Sequence, residues 1–295
     1  MAKRVFRTML TVLGGLVGAF ILFALLVWLA RGGRLLLGGE RIARVDVIGP
    51  IFDADETIKQ LKRYAHDDRV KAIVVRIDSP GGEVAPSQEI YRQIRTIRRE
   101  GKPVVASMGS VAASGAYYVA LAAEKIYANP GTLTGSIGVI AQFPNVQELV
   151  AKIGVKVTVI KSGKHKDLGN PLRELSPEER ELIQGVIDDV YQQFLDAVVE
   201  NRDIDRDAVG EFADGRIFSG RQAKAMGLVD EMGGLEEAIA DIAKAVGIEG
   251  TPRVIHEVPG RFRWLKYLGS LVSARLPVAK PWNPARFSLQ YRWLF

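Results

Sequence analysis

The residue with the clearest chemical potential is Ser114, in the stretch Pro103-Val-Val-Ala-Ser-Met-Gly-Ser-Val-Ala-Ala-Ser114-Gly115-Ala-Tyr-Tyr118. The apolar run from Pro103 to Met108 reads as a buried strand. Gly109 reads as its break, and a helical pattern follows from about Ser114. A serine at a helix start lies among free backbone N–H groups and the positive end of the helix dipole. Attack by its hydroxyl on a carbonyl creates an oxyanion, and those groups favour it. The turn Ser79-Pro80-Gly81-Gly82 adds two glycines whose N–H groups can approach a ligand closely. One of them, paired with the N–H of Gly115, would form an oxyanion hole. The competing explanation is structural: small residues at 112–115 let a helix pack closely on a sheet, and Pro-Gly-Gly makes a tight turn.

A serine nucleophile needs a base. His165 is one choice, with Asp78 or Asp167 as its orienting carboxylate, but there is no Gly-x-Ser-x-Gly elbow in the chain. The other choice is a lysine of the turn Lys161-Ser-Gly-Lys164-His165-Lys166-Asp167. Lysine serves as a base only when desolvation lowers its pKa from about 10.4 toward neutrality, a drop worth about 4 kcal/mol. That requires burial, whereas a lysine in a polar turn is ordinarily a solvated charge. The chain has no cysteine, which excludes disulfides and thiol catalysis. His66, His165 and His256 lack metal-ligand spacing, so no metal and no cofactor is expected.

The elements around these residues form a βαβα series. Ile42 to Gly49 alternates as a strand, residues 54–66 follow as a helix, and Lys71 to Asp78 is a near-continuous apolar run typical of a strand buried on both faces. Val84 to Glu100 is a helix leading to the strand at Pro103. This order predicts an α/β domain with a mostly parallel sheet and covering helices, in which the turns at 79–82 and 109–115 share the carboxyl ends of neighbouring strands. Further along come a strand and turn at Glu124 to Pro130, the hydroxyl-rich loop Gly131 to Gly138, a helix at Asn145 to Ile153 and a strand at Val155 to Ile160. Ser176-Pro-Glu-Glu179 carries the N-cap, N1-proline and capping-box signals of a helix over 177–201. Helices at 206–213, 220–226 and 234–246, with a turn or strand at Gly215 to Phe218, lead to a last strand at Arg253 to Val258.

The ends of the chain differ from this domain. Residues 8–30 are 23 consecutive uncharged residues, long enough to cross a bilayer, and are expected to be an uncleaved transmembrane signal-anchor. Residues 1–7 are then a basic N-terminus and 31–41 a glycine-containing linker, with the globular domain at 42–258. Lys3, Arg4 and Arg7 before the span nearly balance Arg31, Arg34, Arg41 and Arg44 after it, so charge alone does not orient it. The net charge of +6 resolves into +6 for residues 1–44, −7 for 45–252 and +7 for 253–295. An acidic globular region argues against nucleic acid as a partner, and basic ends suit an anionic membrane surface. The tail 259–295 is basic and aromatic. Its last nine residues alternate, with Phe287, Leu289, Tyr291, Trp293 and Phe295 on one face. That is a strand pattern able to complete a sheet edge of this chain or of another subunit.

Four motifs in order resemble the short, single-domain form of the signal peptide peptidase A family: Ile77-Asp-Ser-Pro-Gly-Gly82, Ala113-Ser-Gly-Ala-Tyr-Tyr118, Leu133-Thr-Gly-Ser-Ile-Gly-Val139 and Ser162-Gly-Lys-His-Lys-Asp167. These are membrane-anchored serine proteases (peptidase family S49) of the Clp-protease/crotonase-like superfamily, and the likeness spans about residues 42–248. The resemblance implies Ser114 as nucleophile, Lys166 as general base and Ser136 as the hydroxyl that orients the lysine. It implies Gly115 and the Pro-Gly-Gly turn, with Gly82 chosen over Gly81, as oxyanion donors, and His165 as a bystander. It also implies an extracytoplasmic catalytic domain on the cytoplasmic membrane, apolar released signal peptides as substrates, and a homo-oligomeric ring in which neighbouring subunits can complete the site. Two other functions fit parts of the pattern. A crotonase-like acyl-CoA hydratase or isomerase would share the fold and would bind CoA. A catalytically silent membrane scaffold would need neither Ser114 nor Lys166.

Overall fold

The computed structural model describes residues 13–26, 39–257 and 290–292. Residues 13–26 form helix α1, an exposed apolar helix inside the expected span 8–30; the rest of that span, and the basic N-terminus 1–7, lie outside the described residues. Among the described residues, no helix is long and apolar enough to cross a membrane.

The globular part opens with β1 (Arg41–Ile48), α2 (Asp55–Ala65), β2 (Val70–Ser79), the short β3 (Gly81–Glu83), α3 (Val84–Arg99), β4 (Val104–Ala113) and α4 (Gly115–Ala120). Next come β5 (Ile126–Ala128), β6 (Leu133–Gly135), α5 (Gln147–Lys152) and the long α6 (Pro177–Asn201). Helix α7 (Arg206–Phe212), β7 (Ile217–Ser219), α8 (Gly220–Ala225), β8 (Glu231–Met232), α9 (Leu235–Ala245) and β9 (Arg253–His256) complete the domain. Residues Gln290–Arg292 form β10.

The main sheet runs β7-β6-β4-β2-β1-β9, with β5 beside β4 and β8 beside β5. Every pair in it is parallel except β6–β7, as the βαβα reading predicts. Alternation along the strands sorts the core into two layers. Ile73, Val75 and Ile77 of β2 and Val104, Ala106 and Met108 of β4 face the larger layer, with α3, α4 and α6 residues such as Ile94, Tyr117 and Phe194. Ala72, Val74 and Val105 face the other side, where α9 packs Ile239 and Ile242. The near-continuous apolar run of β2 is thus the signature of a strand covered on both faces.

Two local expectations need correction. Strand β4 does not break at Gly109 but continues to Ala113. A Cβ at Gly109 would stand 2.6 Å from the Asp78 carboxyl carbon, so the glycine marks a close approach inside the strand rather than its end. Its first half pairs with β5 (Ala106 with Ile126) and its second with β6 (Val111 with Leu133). Residues 155–160, expected as a strand, form neither strand nor helix, and Val155, Val157, Val159 and Ile160 are exposed. Alternating β-branched residues favour extended chain, but a strand also requires a partner edge, and none is offered to this segment among the described residues.

The segment 161–176 is fastened to α6 by a buried carboxylate. Ser176 Oγ accepts from the Glu179 N–H at 3.2 Å, and Glu179 Oε2 accepts from the Ser176 N–H at 3.0 Å. Arg173 bridges Glu179, at 2.5 and 2.7 Å, to Asp167 at 2.9 and 3.0 Å. The Arg173 guanidinium, seconded by the Ser176 N–H, pulls the Glu179 carboxyl down from 4.5 to about 2. Arg173, then Lys161, hold Asp167 well below the usual carboxylate range. Folded-state values below the unfolded ones mean that the stabilisation is complete above about pH 4.5 and is lost as pH falls toward 2. Glu179→Gln is expected to flatten the acid limb of thermal stability between those pH values. Ser176→Ala is expected to cost about 1 kcal/mol at neutral pH, both read by melting temperature across a pH series.

Candidate active site

Ser114 follows the last residue of β4 and precedes the first of α4, in a backbone conformation few side chains adopt: φ is 57° and ψ is −121°. Among the described non-glycine residues, only Ser114 and Ser136 have positive φ, the latter at 51°. Such a backbone costs about 1–3 kcal/mol and persists only where the surroundings impose it. Here they do. The Ser114 N–H donates to the Gly135 carbonyl at 2.8 Å, and the Ser136 N–H donates to the Arg216 carbonyl at 2.8 Å. Thr134 Oγ1 donates to the Ala112 carbonyl at 2.7 Å and Thr132 Oγ1 to that of Gly109 at 2.8 Å, stitching β6 to β4 sideways.

The register pairs Ala113 with Gly135, so Ser114 and Ser136 leave neighbouring parallel strands side by side. Both are buried, with 2% and 7% of their surfaces exposed. The sheet therefore brings together the two serines that the sequence places 22 residues apart.

The Pro-Gly-Gly turn reaches the same corner. A Cβ on Gly81, whose φ is +92°, would stand 2.7 Å from the Gly115 N and 2.9 Å from the Ala113 O. A Cβ on Gly115 would stand 2.6 Å from Ser87 Oγ. Both positions exclude a side chain. The Gly81 N–H already donates to Ser79 Oγ at 3.1 Å. The Gly81 carbonyl and the Glu83 N–H both bond to Ile51, so strand alternation turns the Gly82 N–H and carbonyl toward the opposite edge. Ser87, which also shapes this corner, carried no signal in the sequence, and Ser79 entered only as part of the Pro-Gly-Gly turn.

The candidate bases are at the surface of the single chain. Lys161, Lys164, His165 and Lys166 are all exposed, and no hydrogen bond among the described residues joins any of them to Ser114. Lys161 pairs with Asp167 at 2.5 Å, Lys164 pairs with Glu178, and His165 Nε2 lies 3.4 Å from Glu178. Asp78 Oδ1 accepts from the Val111 N–H at 3.1 Å, and Asp167 faces Arg173 and Lys161, so neither carboxylate supports a histidine at Ser114. Among the described residues, no three His, Asp or Glu side chains form a metal cluster.

A strained, buried serine beside convergent glycine backbones suits formation of an acyl-enzyme. Comparison with known proteins identifies the family. Residues 96–249 match the model of peptidase family S49, and residues 42–133 match that of Clp protease. The chain is 45% identical over 212 residues to a candidate protease of Synechocystis sp., covering 71% of this chain and 76% of that one. It is 36% identical over 218 residues to a candidate signal peptide peptidase SppA of Enterococcus faecium, covering 70% and 63%. It is 40% identical over 222 residues to the chloroplastic serine protease SPPA of Arabidopsis thaliana, covering 72% of this chain and 32% of that protein. With a Clp-protease-like parallel sheet and a matching family model over more than half its length, the chain belongs to peptidase family S49 and is a serine protease.

Proposed function

We propose that this protein is a membrane-tethered endopeptidase that degrades apolar peptides, released signal peptides foremost, with Ser114 as nucleophile and Lys166 as general base. The observation that carries the reading is the strained backbone of Ser114 beside Ser136, which also has positive φ. No packing role demands such a conformation of a serine, whereas a nucleophile gains from it a fixed, projecting hydroxyl. The same observation disfavours the scaffold and acyl-CoA readings, neither of which needs a nucleophile there.

In this mechanism Ser114 Oγ attacks the scissile carbonyl as its proton passes to the Lys166 amine. The Gly115 and Gly82 N–H groups take the oxyanion. Collapse of the tetrahedral intermediate breaks the C–N bond, with the lysine proton passing to the leaving amine. A water, activated by the same amine, then hydrolyses the acyl-Ser114 ester. Ser136 holds the lysine by a hydrogen bond. Lysine acts as a base only as a free amine shielded from water. Lys166 is exposed in the single chain, on a segment that also exposes Leu149, Ile153, Val155, Val157, Val159 and Ile160. A ring of identical subunits would cover that apolar face, which single soluble chains rarely leave open, and would desolvate the lysine. The residues of α1 expose Leu13, Leu16, Phe20 and Phe23 around the helix, which supports an anchor in lipid. The family resemblance supports a catalytic domain outside the cytoplasmic membrane.

Peptidase activity on an apolar signal-sequence peptide in detergent tests the reading. Ser114→Ala and Lys166→Ala are each expected to lower kcat by about ten-thousand-fold, with the double variant no worse than either single one, because the two groups act as a unit. Ser136→Ala is expected to lose about tenfold. Retained activity in Lys166→Ala together with loss in His165→Ala would replace the lysine by the histidine. A serine-directed phosphonate is expected to label Ser114; labelling at another residue would reject the assignment.

A further inference from the structure

Strand β4 does not run evenly beside β2. Val104 to Met108 pair residue for residue with Ile73 to Ile77, and the next pair is Ser79 with Ala112. Between these pairs one residue of β2, Asp78, stands opposite three of β4: Gly109, Ser110 and Val111. The two extra residues make a bulge. Ser110 at its centre is exposed, whereas Met108 before it and Ala112 after it are fully buried.

The bulge falls where β4 changes neighbours. Before it, Ala106 and Ser107 pair with Ile126 and Tyr127 of β5; from Val111 onward β4 pairs with β6. At about 3.3 Å per residue, the two extra residues take up about 6–7 Å of strand. Without them Ser110 would lie opposite Ser79, and Ser114 would be carried that far past the Pro-Gly-Gly turn. With them, a Cβ built on Gly81 lies 2.7 Å from the Gly115 N. The bulge therefore sets the distance between the candidate nucleophile and the candidate oxyanion donors.

The Asp78 side chain holds the bulge in place. Its Oδ1 accepts from the N–H of Val111, the first residue of the half of β4 that pairs with β6, at 3.1 Å. Gly109 leaves room for this carboxyl to pass: a Cβ there would stand 2.6 Å from the Asp78 Cγ and 2.9 Å from its Oδ2. The Asp78 backbone is fixed as well, since its carbonyl accepts from the Gly49 N–H at 2.9 Å. From the residue before β6, Thr132 Oγ1 donates to the Gly109 carbonyl at 2.8 Å, and an Arg76 guanidinium N–H donates to the Met108 carbonyl at 2.8 Å. Ser79, next in the chain, holds the Gly81 N–H. Two adjacent side chains thus secure the nucleophile strand and the glycine turn.

We infer that Asp78 is a positioning residue: by accepting from the Val111 N–H it fixes the bulge, and the bulge fixes where Ser114 stands relative to Gly81, Gly82 and Gly115. This rests on the proposed peptidase reading. In this role the carboxylate neither takes a proton nor meets the substrate. A hydrogen-bond acceptor suffices, and asparagine supplies one through its side-chain carbonyl. A reacting group misplaced by about 1 Å loses about a hundredfold in rate.

The test is peptide hydrolysis by the full-length protein in detergent, with active sites counted by the serine-directed phosphonate so that kcat refers to labelled Ser114 alone. Asp78→Ala is expected to lower kcat per labelled site about a hundredfold, with KM within about threefold of wild type. Asp78→Asn is expected to stay within about fivefold of wild type. Gly109→Ala, which pushes the carboxyl off Val111, is expected to lower kcat as Asp78→Ala does, and the double variant to be no worse than either single one. Where Asp78→Ala does not fold, Thr132→Val, which frees the Gly109 carbonyl of the same bulge, is expected to lower kcat about tenfold at unchanged KM. Wild-type kcat per labelled site in the folded variants, with only the melting temperature or the yield of labelled sites reduced, would overturn the inference and leave the nucleophile standing. Loss in Asp78→Asn equal to that in Asp78→Ala would also overturn it, because charge rather than the acceptor would then be at work. Phosphonate labelling of wild type away from Ser114 would instead overturn the peptidase reading beneath it.

Discussion

Much of this structure depends on the pairing of the second half of β4 with β6. That pairing is short, running from Val111 with Leu133 to Ala113 with Gly135. It sets Ser114 and Ser136 next to each other and forces both into positive φ. The strain of about 1–3 kcal/mol at each serine is opposed locally by backbone bonds to Gly135 and Arg216 and by the two threonine hydroxyls that tie β6 to β4. At about 1 kcal/mol net for each such bond, the local network is of the same size as the strain it holds. The surrounding core does the rest: Tyr117, three residues past Ser114, is fully buried and donates its hydroxyl to the Leu228 carbonyl at 3.0 Å. A nucleophile held this way needs no ordering at the moment of reaction.

The corner opposite Ser114 is made of backbone rather than side chains. Gly81 and Gly115 approach so closely that a methyl group at either would strike a neighbour, and Gly109 is pressed against Asp78 in the same manner. The glycines of this region are therefore defined by what surrounds them. A flexible turn would tolerate alanine, and these positions do not. The close approach leaves fixed backbone N–H groups on the wall of this corner.

Strand β10 lies against this corner, paired antiparallel with β3. Tyr291 joins the aromatic cluster of Tyr91, Tyr118 and Phe194, in which Tyr91 and Tyr118 lie 4.8 Å apart and Tyr118 and Phe194 5.1 Å apart. The cluster links α3, α4 and α6 to the turn at Ser114. The turn at Ser114 is thus tied into the packing of the domain, so changes in that packing are felt at the site.

The sequence alone carried the parallel α/β class, most elements and the capping box of α6, because each is encoded locally by hydropathy period or by cap chemistry. It also singled out Ser114, Gly115 and the Pro-Gly-Gly turn from their small residues, while Ser136 came from the family resemblance. The alternation over 287–295 signalled a strand, and residues 290–292 form one, but its partner was not legible: β3 is three residues containing two glycines and has no strand pattern of its own. The tertiary structure decided that Gly109 lies within a strand, that residues 155–160 stay unpaired, and that Lys166 is exposed in a single chain. Helix and cap signals act between residues a few positions apart and so survive in one dimension. Strand partnership, close backbone approach and burial of a charge depend on which distant segments meet, and only the folded chain determines that.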